Sequence, residues 1–205
     1  EQLQPIQPVL LATFEKIEEL VKNHGRIEGV PTGYTELDDL LTGLHGGELV
    51  LIAARPSMGK TSFGMNIVEN AAIRAGKKTA VFSLEMPAEQ LAMRMLCTEA
   101  KVDMQRVRRG QISDDEWGKL SEAMIGIGPS GMFVDASSGV TVAEVRSKAR
   151  RLQLEQGLDL IMIDYIQLMT ASGRFGSRQE EVSAISRSLK GLATELGVPV
   201  IALSQ

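Results

Sequence analysis

Apolar and polar positions along this chain follow two rhythms that take turns. From Val9 to Lys22, Leu10, Phe14, Ile17 and Val21 recur at helical spacing, with Glu15, Lys16, Glu18, Glu19 and Lys22 on the other faces. This predicts an amphipathic helix, with Pro5 and Pro8 before it and His24-Gly25 as its stop. Gly25 to Gly33, containing Gly29 and Pro31, then reads as a linker. A lone helix of this length is marginal in water, so its stripe must be buried somewhere. Pattern alone favours folding back on its own domain, and the linker makes docking on a neighbouring subunit the alternative.

Beyond the linker, Thr35-Glu36-Leu37-Asp38 has the pattern of a capping box opening a short helix through Leu41. The apolar run Leu49 to Ala53 predicts a buried strand, and Lys60 to about Ala75 a helix. Thr79 to Leu84 reads as a strand ending at Glu85, and Pro87 as the start of a helix to about Glu99. Ser113-Asp114-Asp115-Glu116 caps another helix, and Met132 to Val134 is a short strand. Thr141 to Glu144 caps a helix to Gln156, with Val142, Val145, Ala149 and Leu152 on one face. Asp159 to Asp164 is a strand, and Ser177 with Glu180 caps a long helix striped by Val182, Ile185, Leu189, Leu192 and Leu196. Val198 to Ser204 is a final strand ending on Gln205. Strands alternating with helices predict an α/β fold with a mostly parallel sheet flanked by helices, whose ligands bind beyond the carboxyl ends of the strands.

Composition changes this picture little. At 205 residues, with 43% hydrophobic and 23% charged residues, the chain suits one domain plus an appendage. No apolar run approaches the roughly 20 residues of a membrane span and no secretory leader opens the chain, so the expected compartment is the cytoplasm, with no membrane partner. Cys97 is the single cysteine, which rules out an internal disulfide and offers no metal-ligand spacing. A net charge of −4 gives no global reason to expect nucleic-acid binding, so any such contact must rest on local patches.

Candidate chemistry gathers at strand ends. Ala54-Arg55-Pro56-Ser57-Met58-Gly59-Lys60-Thr61 lies between a strand and a helix, where a P-loop wraps phosphate in backbone N–H groups. Gly59 allows close backbone approach, Lys60 reaches the outer phosphates, Thr61 offers a hydroxyl to Mg²⁺, and Ser62 extends the cradle. Ala54 stands where the first glycine of G-x-x-x-x-G-K-[ST] is usual, and alanine fits if its φ need not be positive. Leu160 to Asp164 has the form of a Walker B strand whose aspartate holds the metal shell. Tyr165 follows, where many ATPases place the catalytic glutamate, so Glu85 at another strand end becomes the candidate for orienting the attacking water. Gln205 is placed to hydrogen-bond the γ-phosphate.

These stretches, with Phe82-Ser83-Leu84-Glu85-Met86, Ile163-Asp164-Tyr165-Ile166-Gln167-Leu168 and Pro199 to Gln205, resemble the DnaB-type bacterial replicative DNA helicases over nearly the whole chain. The resemblance implies a linker helix and linker over residues 1–33, then a RecA-like P-loop NTPase domain over residues 34–205. It implies ATP and Mg²⁺ as ligands, Lys60 and Thr61 on phosphate and metal, Glu85 as catalytic base, Asp164 on the metal and Gln205 as nucleotide sensor. It further implies a ring hexamer that moves along single-stranded DNA at the replication fork and meets a primase and a helicase loader. Family members also carry an amino-terminal helical domain and, after the region matching Gln205, further strands, a second DNA loop and an arginine finger. The expectation is therefore that these 205 residues by themselves bind Mg-ATP and hydrolyse it poorly.

For DNA, the loop Thr170 to Ser177 offers Arg174, and the helix after it Arg178, as cations for backbone phosphate. Ser183, Arg187, Lys190 and Thr194 form the polar face of that helix, open to DNA, a subunit or solvent. Arg106, Arg108 and Arg109, and the run Arg146, Lys148, Arg150 and Arg151, read as solvated or interfacial charges. Two rivals share the P-loop and sheet: a RecA/RadA-like recombinase, and a nucleotide-dependent assembly or loader module without useful turnover. The leading amphipathic helix and Ser83-Leu84-Glu85-Met86 favour the helicase over the first, and Glu85, Asp164 and Gln205 argue against the second.

Overall fold

The computed structural model describes residues 3–23, 27–55 and 59–205; the expected helix stop at His24-Gly25 and the P-loop positions Pro56, Ser57 and Met58 lie outside them. Five strands, β1 (Leu49–Ala53), β2 (Thr79–Ser83), β3 (Met132–Asp135), β4 (Leu160–Asp164) and β5 (Val200–Ser204), form a sheet in the order β1-β5-β4-β2-β3. Every pairing is parallel, which requires a crossover between paired strands. β4 is buried along its whole length and β5 along all but its last residue, which is why they read as unbroken apolar runs.

Alternate residues still face opposite layers. Phe82, Ile161, Ile163, Val200 and Ala202 join one core under α7 (Val142–Glu155) and α8 (Arg178–Leu196). Val81, Leu160, Met162, Ile201 and Leu203 join the other under α3 (Lys60–Glu69) and α4 (Ala88–Ala100). Cys97 on α4 is buried, as its apolar neighbours predicted. α6 (Asp114–Ile127) packs chiefly on α4, and none of its own residues is buried. The Ser113 capping box of α6 is present in both directions.

Some local expectations shift. The first helix, α1, runs Ile6–Lys22, so Pro8 sits in its first turn, where its missing N–H costs no helical bond. The helix Thr35–Leu41, α2, follows Tyr34 as N-cap and forms no capping box there. The buried Asp38 instead accepts from Thr32 N and Thr32 Oγ1, both at 2.8 Å, and from Gly33 N at 3.1 Å. Buried backbone donors in the incoming segment must be paired, and that requirement takes the carboxylate. The helix expected from Lys60 to Ala75 ends at Glu69 and continues as a π-helical turn, Asn70–Arg74. A short helix, α5 (Met104–Arg108), capped by Asp103 on Gln105 N, escaped the pattern because five residues show no apolar period.

The largest departure is α1. It has no buried residue, and Leu10, Leu11, Phe14 and Val21 are 58%, 62%, 65% and 70% exposed. The stripe therefore does not fold back on its own domain, contrary to what pattern alone favours. Among the described residues, no helix is long and apolar enough to cross a membrane.

Candidate functional site

Strand register builds this site. Ala53 pairs with Ser204, and Ser83 pairs with Asp164, so the carboxyl ends of β1, β5, β4 and β2 finish level along one edge of the sheet. That edge gathers Ala54 and Arg55 after Ala53, Gln205 after Ser204, Asp164 itself, and Glu85 two residues past Ser83. A cleft of about 440 Å³ is lined by Arg55, Gly59, Lys60, Thr61, Ser62, Glu85 and Gln205, all singled out in the sequence, and by Arg94, which was not.

Ala54 N donates to Ser204 O at 3.4 Å, carrying the sheet ladder one residue beyond β1. Among the described residues, the non-glycine positions with positive φ are Thr42 and Lys101, so Ala54 needs no glycine. Gly59 does. Its φ of 80° lies in the left-handed region, whereas a Cβ there would meet nothing within 4 Å. The glycine is needed for backbone conformation at the N-cap of α3. Lys60 and Thr61 then open α3, whose dipole directs positive charge at the cleft.

Asp164 is 2% exposed, and its Oδ1 has no hydrogen-bond partner among the described residues. Burial pushes its carboxyl above the ordinary range, the Thr61 hydroxyl draws it back, and the Glu85 charge raises it again. A buried carboxylate oxygen left unpaired beside a hydroxyl fits a cation, and these two residues would hold Mg²⁺. The Lys60 ammonium lies 4.9 Å from the centre of the Tyr165 ring, a cation–π contact that leaves the lysine charge available to an anion.

Glu85 stands on a bend and not on the strand. Leu84 N donates to Asp164 O at 2.8 Å and Ser83 Oγ donates to Met86 O at 2.9 Å, which fixes that bend and leaves the Glu85 side chain exposed to the cleft. Gln205 is held from behind by Gln167, whose Oε1 accepts from Gln205 N at 3.2 Å. Arg94 reaches the cleft from two turns into α4 and favours ionised Asp164 by its charge. Its signal in the sequence is weak: one arginine on a helix that opens just after Glu85.

The loop Thr170 to Ser177 exposes Arg174, while Phe175 is half-buried. Arg178 is the first residue of α8; it pairs with Glu181 at 2.6 Å and donates to the carbonyl of Gln167 and, at 3.3 Å, to that of Met169. The α7 cations are paired within the chain, Arg146 and Arg150 with Glu195 and Lys148 with Asp135, and Arg106 pairs with Glu116. Ser183, Arg187, Lys190 and Thr194 are exposed, with Lys190 donating to Gly47 O.

Comparison with known proteins is consistent with this geometry. Residues 29–205 match the DnaB-like helicase C terminal domain. The chain is 50% identical over 203 residues to the replicative DNA helicase DnaC of Bacillus subtilis (strain 168), covering 98% of this chain and 45% of that protein. It is 51% identical over 203 residues to the replicative DNA helicase DnaB of Haemophilus influenzae (strain ATCC 51907 / DSM 11121 / KW20 / Rd), covering 96% and 43%. The chain thus spans less than half the length of these curated relatives. Among solved structures, one described as an ATPase domain superposes with a TM-score of 0.90 at 38% identity, covering all of this chain and 72% of that one. A DnaB-like replicative helicase, described with its interactions with primase, superposes with a TM-score of 0.88 at 36% identity, covering all of this chain and 49% of that one.

Proposed function

We propose a function from the premise that this chain belongs to the family of DnaB-like helicase C-terminal domains: it is the ATP-driven motor of a replicative DNA helicase. The observation that carries this reading is the level edge of β1, β5, β4 and β2, with Lys60, Thr61, Glu85 and Gln205 lining one cleft and the buried Asp164 behind Thr61. The recombinase and the assembly-module readings are not favoured, because the curated relatives that match nearly the whole chain are replicative helicases.

In this reading Gly59 and the α3 N-terminus cradle the phosphates and the Lys60 ammonium engages the β- and γ-phosphoryl oxygens. Arg55 and Ser62 line the same cleft and complete its polar wall. Mg²⁺, held by Thr61 and Asp164, supplies charge neutralisation at the phosphates when bound. The Glu85 carboxylate accepts a proton from the attacking water and orients it, and the Gln205 amide hydrogen-bonds the γ-phosphate. Arg174, on the loop that follows β4, meets the backbone of single-stranded DNA, and Arg178 supports it from the start of α8.

Assembly follows from the surfaces the chain leaves uncovered. α1 presents an unpartnered apolar stripe, and α4, α5 and α6 frame an apolar groove lined by Met93, Leu96, Val107, Trp117, Leu120 and Met124. α1 of one protomer docks in the groove of the next, a heterologous contact that closes into a ring hexamer. Residues 1–33 thus act as a linker and residues 34–205 as the motor. The solved relative described with its interactions with primase supports primase as a partner; a helicase loader and the cytoplasm are carried over from the family resemblance alone.

Equilibrium nucleotide binding and single-turnover hydrolysis test the site. Glu85→Gln should keep nucleotide affinity and lose roughly 10²- to 10⁴-fold in hydrolysis, the range of general acid–base catalysis. Lys60→Ala should instead weaken binding itself. Near-normal hydrolysis in Glu85→Gln would return that residue to an ordinary solvated acid.

A further inference from the structure

Gln167 occupies the short 3₁₀ turn Ile166–Leu168 that follows β4. Ile166 and Met169 are buried in the α7–α8 core and pin the turn. The Gln167 side chain reaches the end of β5: Nε2 donates to Ser204 Oγ at 2.8 Å and to Gln205 O at 3.3 Å, while Oε1 accepts from Gln205 N at 3.2 Å. A primary amide serves both polarities of one residue's backbone at once, which neither a carboxylate nor an ammonium can do.

The backbone of the same residue faces the other way. Its carbonyl accepts from the Arg178 guanidinium, which also donates to Met169 O at 3.3 Å and pairs with Glu181 at 2.6 Å. Glu181 in turn accepts from Ala171 N at 3.3 Å, and Glu180 accepts from Gly176 N at 2.8 Å. Arg178 and the Ala171 N–H hold the Glu181 carboxyl below its usual range, so these bonds are made to a carboxylate. Both feet of the loop Thr170 to Ser177 are therefore tied to the first turn of α8, and an unbroken chain of bonds runs from them to Gln205 at the cleft.

We propose that Gln167 and Arg178 are positioning residues that couple Gln205 to the loop Thr170 to Ser177, so that nucleotide in the cleft and single-stranded DNA at the loop change each other's affinity. The inference rests on the function proposed above. A backbone shift of Gln205 toward a γ-phosphate must either carry the Gln167 turn with it or break two hydrogen bonds, and the turn's carbonyls are where Arg178 grips. Coupling of this kind is reciprocal, because the two occupancies share one free-energy cycle.

The test is the dissociation constant of a non-hydrolysable ATP analogue, measured with and without saturating oligodeoxythymidine. The unsubstituted protein should show a ratio of about 5- to 150-fold, the usual span of allosteric coupling. Gln167→Met keeps length and removes the hydrogen bonds, and Arg178→Met removes every donor that grips the carbonyls, from an exposed position. Each should bring the ratio toward one, while DNA-free nucleotide affinity stays within about threefold, because neither side chain touches the phosphates. Full coupling in either variant would overturn the proposal. Binding of both ligands by the unsubstituted protein with a ratio of one would overturn it and leave the motor function standing. Absence of nucleotide or DNA binding would overturn the motor function, and this inference with it.

Discussion

α1 and α8 carry the same amphipathic rhythm and meet opposite fates. α8 buries Ile185, Leu189, Leu192 and Leu196, whereas α1 buries nothing. The difference lies in how each is tied. α8 is the crossover between β4 and β5, capped by Ser177 at one end and turned by Gly197 at φ 65° at the other, just before β5. A helix joining two parallel strands of one sheet has to lie on that sheet. α1 is not a crossover between two strands of the sheet, so strand pairing does not oblige its stripe to lie on the core. Periodicity tells that a face needs cover, and connectivity decides what supplies it.

The strongest way to break this comparison is to truncate both stripes. Leu189→Ala should lower stability by about 2–5 kcal/mol, because a fully buried leucine leaves a cavity in a close-packed layer. Leu10→Ala, at an exposed position, should stay within about 0.5 kcal/mol. Denaturant unfolding of the two variants gives both numbers, and equal losses would show that α1 is buried within the chain in solution.

α3 sharpens the comparison from the other side, since it is covered so fully that a carboxylate is buried with it. Burial first, then the Glu99 charge, raises Glu69 to about 7 against an opposing pull from Arg74. The native state thus holds this proton up to about pH 7, while the unfolded chain releases it near the ordinary 4.5. Between those values the unfolded chain binds fewer protons, so stability falls as pH rises through the window. Glu69→Gln should flatten that fall by about 2–3 kcal/mol in unfolding curves taken at about pH 5 and about pH 8. An unchanged slope would mean that Glu69 is ionised in the folded protein at neutral pH.

Smaller effects separate the two helices at their starts. Ser177 Oγ accepts from Glu180 N at 3.2 Å, and Ser177→Ala should cost about 1 kcal/mol. Pro5 makes no side-chain cap to α1, so Pro5→Ala should cost the domain less than about 0.5 kcal/mol. The smallest stability change is expected of Phe14→Glu, within about 0.5 kcal/mol, yet this change should weaken self-association by sedimentation. Unaltered assembly in a protein that does oligomerise would remove α1 from the subunit contact.

Particular residues mark how far the sequence could be read. The strands were visible because β4 and β5 are buried on both faces and so read as continuous apolar runs. Capping at Ser113, Thr141 and Ser177 was visible because an N-cap hydroxyl and an acid three residues on act within one turn. The same pattern at Thr35 misled, because Asp38 met a stronger demand from Thr32 and Gly33, contacts made across a bend. Gly59 and Lys60 were visible as cleft residues because they belong to a local sequence motif, whereas Arg94 and the contact of Gln167 with Ser204 were not, because each reaches across the fold.

The chain by itself therefore determined its elements, its α/β class and the residue types able to bind a nucleotide, since these rest on periodicity, capping and loop chemistry within a few residues. Tertiary structure alone decided the order β1-β5-β4-β2-β3 and the registers that set Ser83 beside Asp164 and Ala53 beside Ser204. It also decided that α8 is covered and α1 is not. Parallel pairing joins strands distant in sequence, so which strand ends stand level, and which charges they bring together, is written in contacts that no local pattern carries.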